Sequence, residues 1–239
     1  MATFETIDTG ARMGTRVKVC GVTEPAEIAG LESSGVDFAG LWFGVPGGPA
    51  DLPLDVWRAL VAETENVSPV LVTFLKSADE LSEALAGSGV EWIQLHGYQS
   101  PGLIRKLKRR DPALKVMKVL HVRDGECLEE SLIGAYEDAG TDVFLFDPVS
   151  AEGQVGSTGQ TLDPSLVLSL ADKLERPFLL AGGLSAANAP EYEAVTSHPR
   201  FYGVDVDTNA RGPDGKLSGE RVAAIVSAWQ GPERVNGGA

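Results

Sequence analysis

The chain alternates eight times between a short apolar, β-branched run and a longer amphipathic stretch, and few architectures can absorb that pattern. Strands are predicted over Arg16–Cys20, Phe38–Phe43, Val70–Phe74, Trp92–Leu95, Val116–Leu120, Val143–Phe146, Phe178–Ala181 and Tyr202–Val206. Helical spacing is predicted over 24–34, 54–64, 78–87, 101–109, 128–139, 163–173, 187–196 and 218–229. Pro25, Asp163-Pro164 and Ser218 supply helix-start chemistry, and Gly35, Gly89 and Gly140 stand where helices should stop. Strands this short and continuously apolar are buried on both faces, which implies a parallel sheet with helices packed outside it. At 239 residues the expected fold is α/β, a single-domain (β/α)8 TIM barrel over 16–230, with an open doubly wound sheet as its rival. Residues 1–15 read as an irregular extension, with Met13 an alternative start, and 231–239 as a flexible tail.

Composition narrows the function classes. A hydrophobic fraction of 43% with mean hydropathy -0.01 supports a sizeable core in a soluble chain. Neither a membrane-spanning run nor a signal-peptide run is present, so a cytoplasmic location is expected. A net charge of -14 opposes binding to nucleic acid or anionic membranes, both of which require basic surface. Cys20 and Cys127 are far apart and, like the histidines, match no metal-ligand spacing, so no metal is expected.

In such a barrel, chemistry sits where the strands end. Cys20 closes the first strand, and Lys18 shares its parity, so both should point inward. An ammonium that close is expected to favour the thiolate and lower the thiol from about 8.5. Asp147 follows the apolar run Val143–Phe146, a setting in which a carboxyl can hold a proton for acid work. A base and an acid tuned in opposite directions suit a reaction that moves two protons. Taken alone, Cys20 is also compatible with a core role and Asp147 with a cap. His121 could face the mouth from the end of the fifth strand, and His198 reads as a loop residue.

Three motifs, in order, resemble one enzyme family: Lys18-Val19-Cys20-Gly21-Val22-Thr23, Gln94-Leu95-His96-Gly97, and Leu180-Ala181-Gly182-Gly183-Leu184 followed by Asn188. With Gly203-Val204-Asp205-Val206 in the last strand, the chain is similar to the phosphoribosylanthranilate isomerases over residues 16–229. The resemblance implies an Amadori rearrangement of an aminoaldose phosphate to an aminoketose phosphate, in the tryptophan biosynthesis pathway and without a cofactor. It implies Cys20 as the general base and Asp147 as the general acid. Lys18, Gln94, His96, Gly182, Gly183, Asp205, Asp207, Thr208 and Asn209 would serve the substrate, a small phosphorylated sugar derivative. Members of the family occur as monomers and homodimers.

The chain departs from the family pattern in the loops that would grip substrate. Asp207-Thr208-Asn209 stands where Ser-Ser-Gly is usual, and a carboxylate beside phosphate costs on the order of 3 kcal/mol. The loop Gly44–Ala50 lacks the arginine that serves the anthranilate carboxylate; Arg123 and Arg211 are the candidate substitutes. Trp42 replaces a smaller apolar residue and reads as core or as a pocket wall. Gly156-Ser157-Thr158-Gly159 retains loop chemistry suited to a lid. These departures leave two alternatives: a diverged paralogue, isomerase or lyase, with the same Cys/Asp pair, and a non-catalytic binding barrel.

Overall fold

A computed structural model describes residues 14–149 and 160–231; the extension before Gly14, the Gly156–Gly159 loop and most of the predicted tail lie outside these. Among the described residues there are nine strands: β1 (Arg16–Cys20), β2 (Phe38–Trp42), β3 (Ser68–Thr73), β4 (Trp92–Leu95), β5 (Lys115–Arg123), β6 (Glu126–Cys127), β7 (Val143–Pro148), β8 (Phe178–Leu180) and β9 (Phe201–Val206). All but β6 pair in parallel, in the order β4-β3-β2-β1-β9-β8-β7-β5, and a β4–β5 pairing closes the ring. The fold is therefore the eight-stranded barrel, and the open sheet is excluded by that closure. Helices α1 (Pro25–Ser34), α2 (Leu54–Val61), α3 (Ala78–Leu85), α4 (Pro101–Arg110), α5 (Ile133–Ala139), α6 (Pro164–Ala171), α7 (Glu193–Thr196) and α8 (Gly219–Gln230) follow the strands. Among the described residues, no helix is long and apolar enough to cross a membrane.

Alternation along each strand splits the core in two. Phe38, Val70, Val72, Met117, Val119, Val143, Leu145 and Leu179 fill the lumen. The other parity, including Val17, Val19, Leu41, Leu71, Ile93 and Phe146, packs against the helices. Edge-to-face contact of Phe38 with Trp92, at 5.2 Å between ring centroids, and Tyr202 beside them plug the lumen where the strands begin. The polar residues of the lumen are thereby confined to the opposite end.

Two elements differ from expectation. The fifth strand runs on to Arg123 and folds back through Asp124-Gly125, both at positive φ, to pair antiparallel with β6. Asp-Gly is a strong two-residue hairpin signal, and the extra pairing delays α5 to Ile133, after a 3-10 turn over Glu130–Leu132. The helix expected over 187–196 is a 3-10 turn, Ala189–Tyr192, followed by a single α turn, Glu193–Thr196. Pro199 restricts the residue before it and ends that segment early. Gly35 and Gly140 do end α1 and α5, whereas Gly89 lies beyond α3 in the turn before β4.

The start of α1 is joined to the segment before α8 by one buried carboxylate. Glu27 Oε2 accepts from the backbone N–H of Thr23 at 2.8 Å and of Glu24 at 3.3 Å, and Oε1 accepts from Leu217 N–H at 3.0 Å. Replacement by alanine strands these donors away from water. Glu27→Ala is expected to lower the unfolding free energy by about 2–3 kcal/mol in urea titrations; a loss below about 0.5 kcal/mol would show that water replaces the carboxylate freely.

Candidate active site

Apart from Lys18 and Gln94, every residue assigned to the site from the sequence lines one open pocket at the C-terminal mouth of the barrel. Lys18 and Gln94 are fully buried, on the lumen-facing parity of β1 and β4.

Lys18 Nζ donates to both carboxylate oxygens of Asp205, at 2.8 and 2.9 Å, across the β1–β9 seam where the two residues are register partners. Burial works against both charges. It holds the Asp205 carboxyl above its ordinary value; burial alone would pull Lys18 down, but Asp205 and Cys20 beside it keep it raised. The ammonium is thus already committed to a carboxylate, and the expected depression of Cys20 does not occur. Burial pushes the Cys20 thiol up to about 12; Lys18 opposes this, Asp205 and Asp207 add to it, and a hydrogen bond from Trp42 offsets part. Both cysteines are free thiols.

Asp147, at the end of β7, is buried, and its Oδ2 lies 3.2 Å from His96 Nε2. The Gln94 amide donates to His96 Nδ1 at 3.0 Å, which puts the ring proton on Nε2, facing Asp147. His121 does not reach the mouth. It is fully buried, with Nδ1 2.6 Å from Glu129 Oε1 and Nε2 2.9 Å from the His96 carbonyl, so it fastens the strand end that carries His96. His198 packs its ring against Phe178 at 5.6 Å and accepts from Arg200 N–H, on the helix side of the sheet.

The loops after β8 and β9 form the opposite wall. Gly182 has φ 91, and a Cβ there would lie 2.3 Å from Pro148 and 2.6 Å from the Gln160 carbonyl, so only glycine lets this loop pass the end of β7. Asn209 Nδ2 donates to the Gly183 carbonyl at 2.8 Å and to that of Leu184 at 3.1 Å, and Asn188 Nδ2 donates to Gly183 O at 3.0 Å. Asn209 therefore braces the glycine loop, while Thr208 is exposed at the mouth. Asp207 turns to Arg211, whose Nε donates to Oδ1 at 2.7 Å. Arg211 Nη2 also donates to the carbonyls of Gly21, at 2.7 Å, and Cys20, at 3.3 Å. Arg211 is thus engaged elsewhere and does not stand in for the arginine missing after β2, and Arg123 is exposed on the β5–β6 hairpin.

Trp42, read from the sequence as core or a pocket wall, does line the cavity, but three contributions to the surroundings of Cys20 escaped the sequence reading. Arg211 closes the turn after Cys20, where Gly21 has φ 78 and a Cβ would lie 2.5 Å from the guanidinium. Trp42 Nε1 donates to Cys20 Sγ at 3.1 Å. Gly40, the β2 register partner of Cys20, leaves the space in which the thiol and Lys18 meet. A Cβ on Gly40 would lie 2.9 Å from both Sγ and Lys18 Nζ. Only a glycine with nothing on its lumen side betrays such a role, and the sequence does not show what it faces. Gly40→Ala is expected to destabilise by about 1–3 kcal/mol and to lower kcat about tenfold or more. Steady-state kinetics on the folded variant check this, and an unchanged kcat would show that the thiol needs no such space.

Known proteins resemble this chain in sequence and in fold. The sequence profile of N-(5'-phosphoribosyl)anthranilate isomerase matches residues 17–227. The chain is 34% identical to the isomerase of that name from Halorubrum lacusprofundi over 217 residues, 89% of this chain and 95% of the other. It is 29% identical to the one from Trichormus variabilis over 211 residues, 88% of this chain and 96% of the other. The crystal structure of phosphoribosyl anthranilate isomerase from Thermotoga maritima superposes with a TM-score of 0.74 at 25% identity, covering 90% of this chain and 98% of that one. The chain belongs to the phosphoribosylanthranilate isomerase family.

Proposed function

We propose that the chain performs the rearrangement for which its relatives are named, isomerising N-(5'-phosphoribosyl)anthranilate, an aminoaldose phosphate, to the corresponding aminoketose phosphate. The observation that carries this reading is the placement of the Cys20 thiol and the Asp147 carboxyl on one cavity, beside the Gly182-Gly183 loop. Asp147 delivers its proton to the furanose ring oxygen; the C1–O bond breaks, and the nitrogen lone pair forms the C1=N iminium. The Cys20 thiolate then takes the C2 proton, and the C–H electron pair makes C1=C2 while the iminium is neutralised. The enolamine tautomerises, with a proton added at C1 and the C2 hydroxyl becoming the ketone, and the net change is isomerisation alone.

His96, donating to one oxygen of Asp147, holds the carboxyl in place and leaves the other oxygen for the sugar. Phosphate is assigned to the glycine loop and Thr208, with Arg211 offsetting the charge of Asp207. Cys20 is a strong base held as thiol in the free protein, and the iminium cation produced by ring opening favours its ionised form at the moment it is needed.

Complementation of a tryptophan auxotroph lacking this isomerase tests the activity; failure by a folded, well-expressed chain would sink the reading. Cys20→Ala and Asp147→Asn are each expected to lower kcat by about 10²-fold or more. The base must be ionised to act, and Cys20 is raised to about 12, so in Asp147→Asn, which has no acid proton to lose at that position, the residual kcat/KM should climb with pH across the neutral range by close to tenfold per unit. A plateau already reached near pH 7 would mean that another group limits the reaction.

A further inference from the structure

We propose that Trp42 is a positioning residue that sets the thiol–thiolate balance of Cys20 through its indole N–H. The inference rests on the reading of Cys20 as the base, and it goes beyond that reading by assigning a role to a residue outside the family's pattern.

The groups facing the sulfur are few. From its own strand comes Lys18, bound to Asp205; from β9 and the loop after it come Asp205 and Asp207; from β2 comes Trp42. Gly40, also on β2, contributes no atom beyond its backbone. Negative charge and burial both favour the protonated thiol. Lys18 is within hydrogen-bonding reach of the sulfur as well as of Asp205, and the indole N–H, 3.1 Å from Sγ, is a second, neutral donor aimed at it from β2. A hydrogen bond of this kind is stronger to a thiolate than to a thiol, so it draws the equilibrium toward the base.

The donor is held in place before any substrate arrives. Trp42 is 8% exposed and its carbonyl accepts from Leu52 N–H at 3.1 Å. The segment that replaces the family's arginine-bearing loop closes on the indole. Asp51 Oδ1 accepts from Val45 N–H at 3.0 Å, Gly48 N–H donates to the Val45 carbonyl at 2.9 Å, and a Cβ on Gly48 would lie 3.0 Å from Trp42 Cζ3. In this chain the β2 loop therefore packs the ring that addresses the base. Such packing removes the rotamer freedom that would otherwise weaken a single hydrogen bond.

The test is the rate at which iodoacetamide alkylates Cys20, followed as a function of pH and corrected with Cys20→Ala for the contribution of Cys127. Trp42→Phe keeps an aromatic ring and removes the donor. It is expected to slow alkylation about tenfold at each pH below the titration, a rise of about one pH unit in the thiol. Phenylalanine is the smaller side chain, so improved access alone would speed the reaction; an equal or faster rate overturns the proposal. Where Trp42→Phe does not fold, as judged by circular dichroism, Trp42→Leu also lacks the donor and is scored in the same way. Turnover separates this inference from the one beneath it. If Cys20→Ala retains wild-type kcat, the base assignment fails, while the alkylation comparison still decides what Trp42 does. If both hold, Trp42→Phe moves the pH–rate profile to higher pH with KM unchanged, which a merely structural role would not do.

Discussion

The ion pair between Lys18 and Asp205 is the interaction on which the rest of the site depends. Both members are buried in the barrel lumen, and they face each other across the seam where the first strand meets the last. Losing one partner from such a pair leaves an uncompensated buried charge, which costs about 3–5 kcal/mol. The pair also sets the electrostatics above it. The ammonium pulls the neighbouring thiol toward ionisation, and the carboxylate that binds it pushes the other way. Burial is the largest cause of the raised Cys20 thiol, and the negative charge of Asp205 adds to it against the pull of Lys18.

The same reasoning explains why a chain of net charge -14 can offer a site for a phosphorylated sugar. Asp207 does not stand free in the loop where phosphate is assigned, because Arg211 lies against it. The guanidinium also holds the two carbonyls that end the first strand. One cation therefore serves both the loop assigned to the phosphate and the residue assigned as the base.

Much of the fold was legible because its signals are local. Apolar runs of fixed parity mark the strands, and β1 and β4 fall where those runs begin and end. Asp163 and Ser218 cap α6 and α8 through their own side chains, as their positions predict. The β5–β6 hairpin was missed, although Asp124-Gly125 signals one, because the apolar run there breaks at His121 and suggests an earlier stop. What could not be read were relations between distant residues. The sign of the shift at Cys20 reverses because the closed barrel buries the thiol and sets Asp205 and Asp207, far along the chain, beside it, and these together outweigh Lys18. The donor in Trp42 and the space beside Gly40 have meaning only once β2 lies against β1. The residue types at the site were visible in the sequence; the order of their electrostatic effects was not.

The bonds from Asp205 and Arg211 back to the first strand also order events in time. Cys20 is among the first barrel residues to leave the ribosome, yet the partners that set its surroundings are made almost last. Until residues 205–211 are synthesised, Lys18 has no counter-ion and the turn at Gly21 has no guanidinium to hold it. Contacts of such long sequence separation form late and slowly. A nascent chain therefore carries Cys20 without its folded-state neighbours through most of its synthesis, and the residue assigned as the base meets them only when the ring closes.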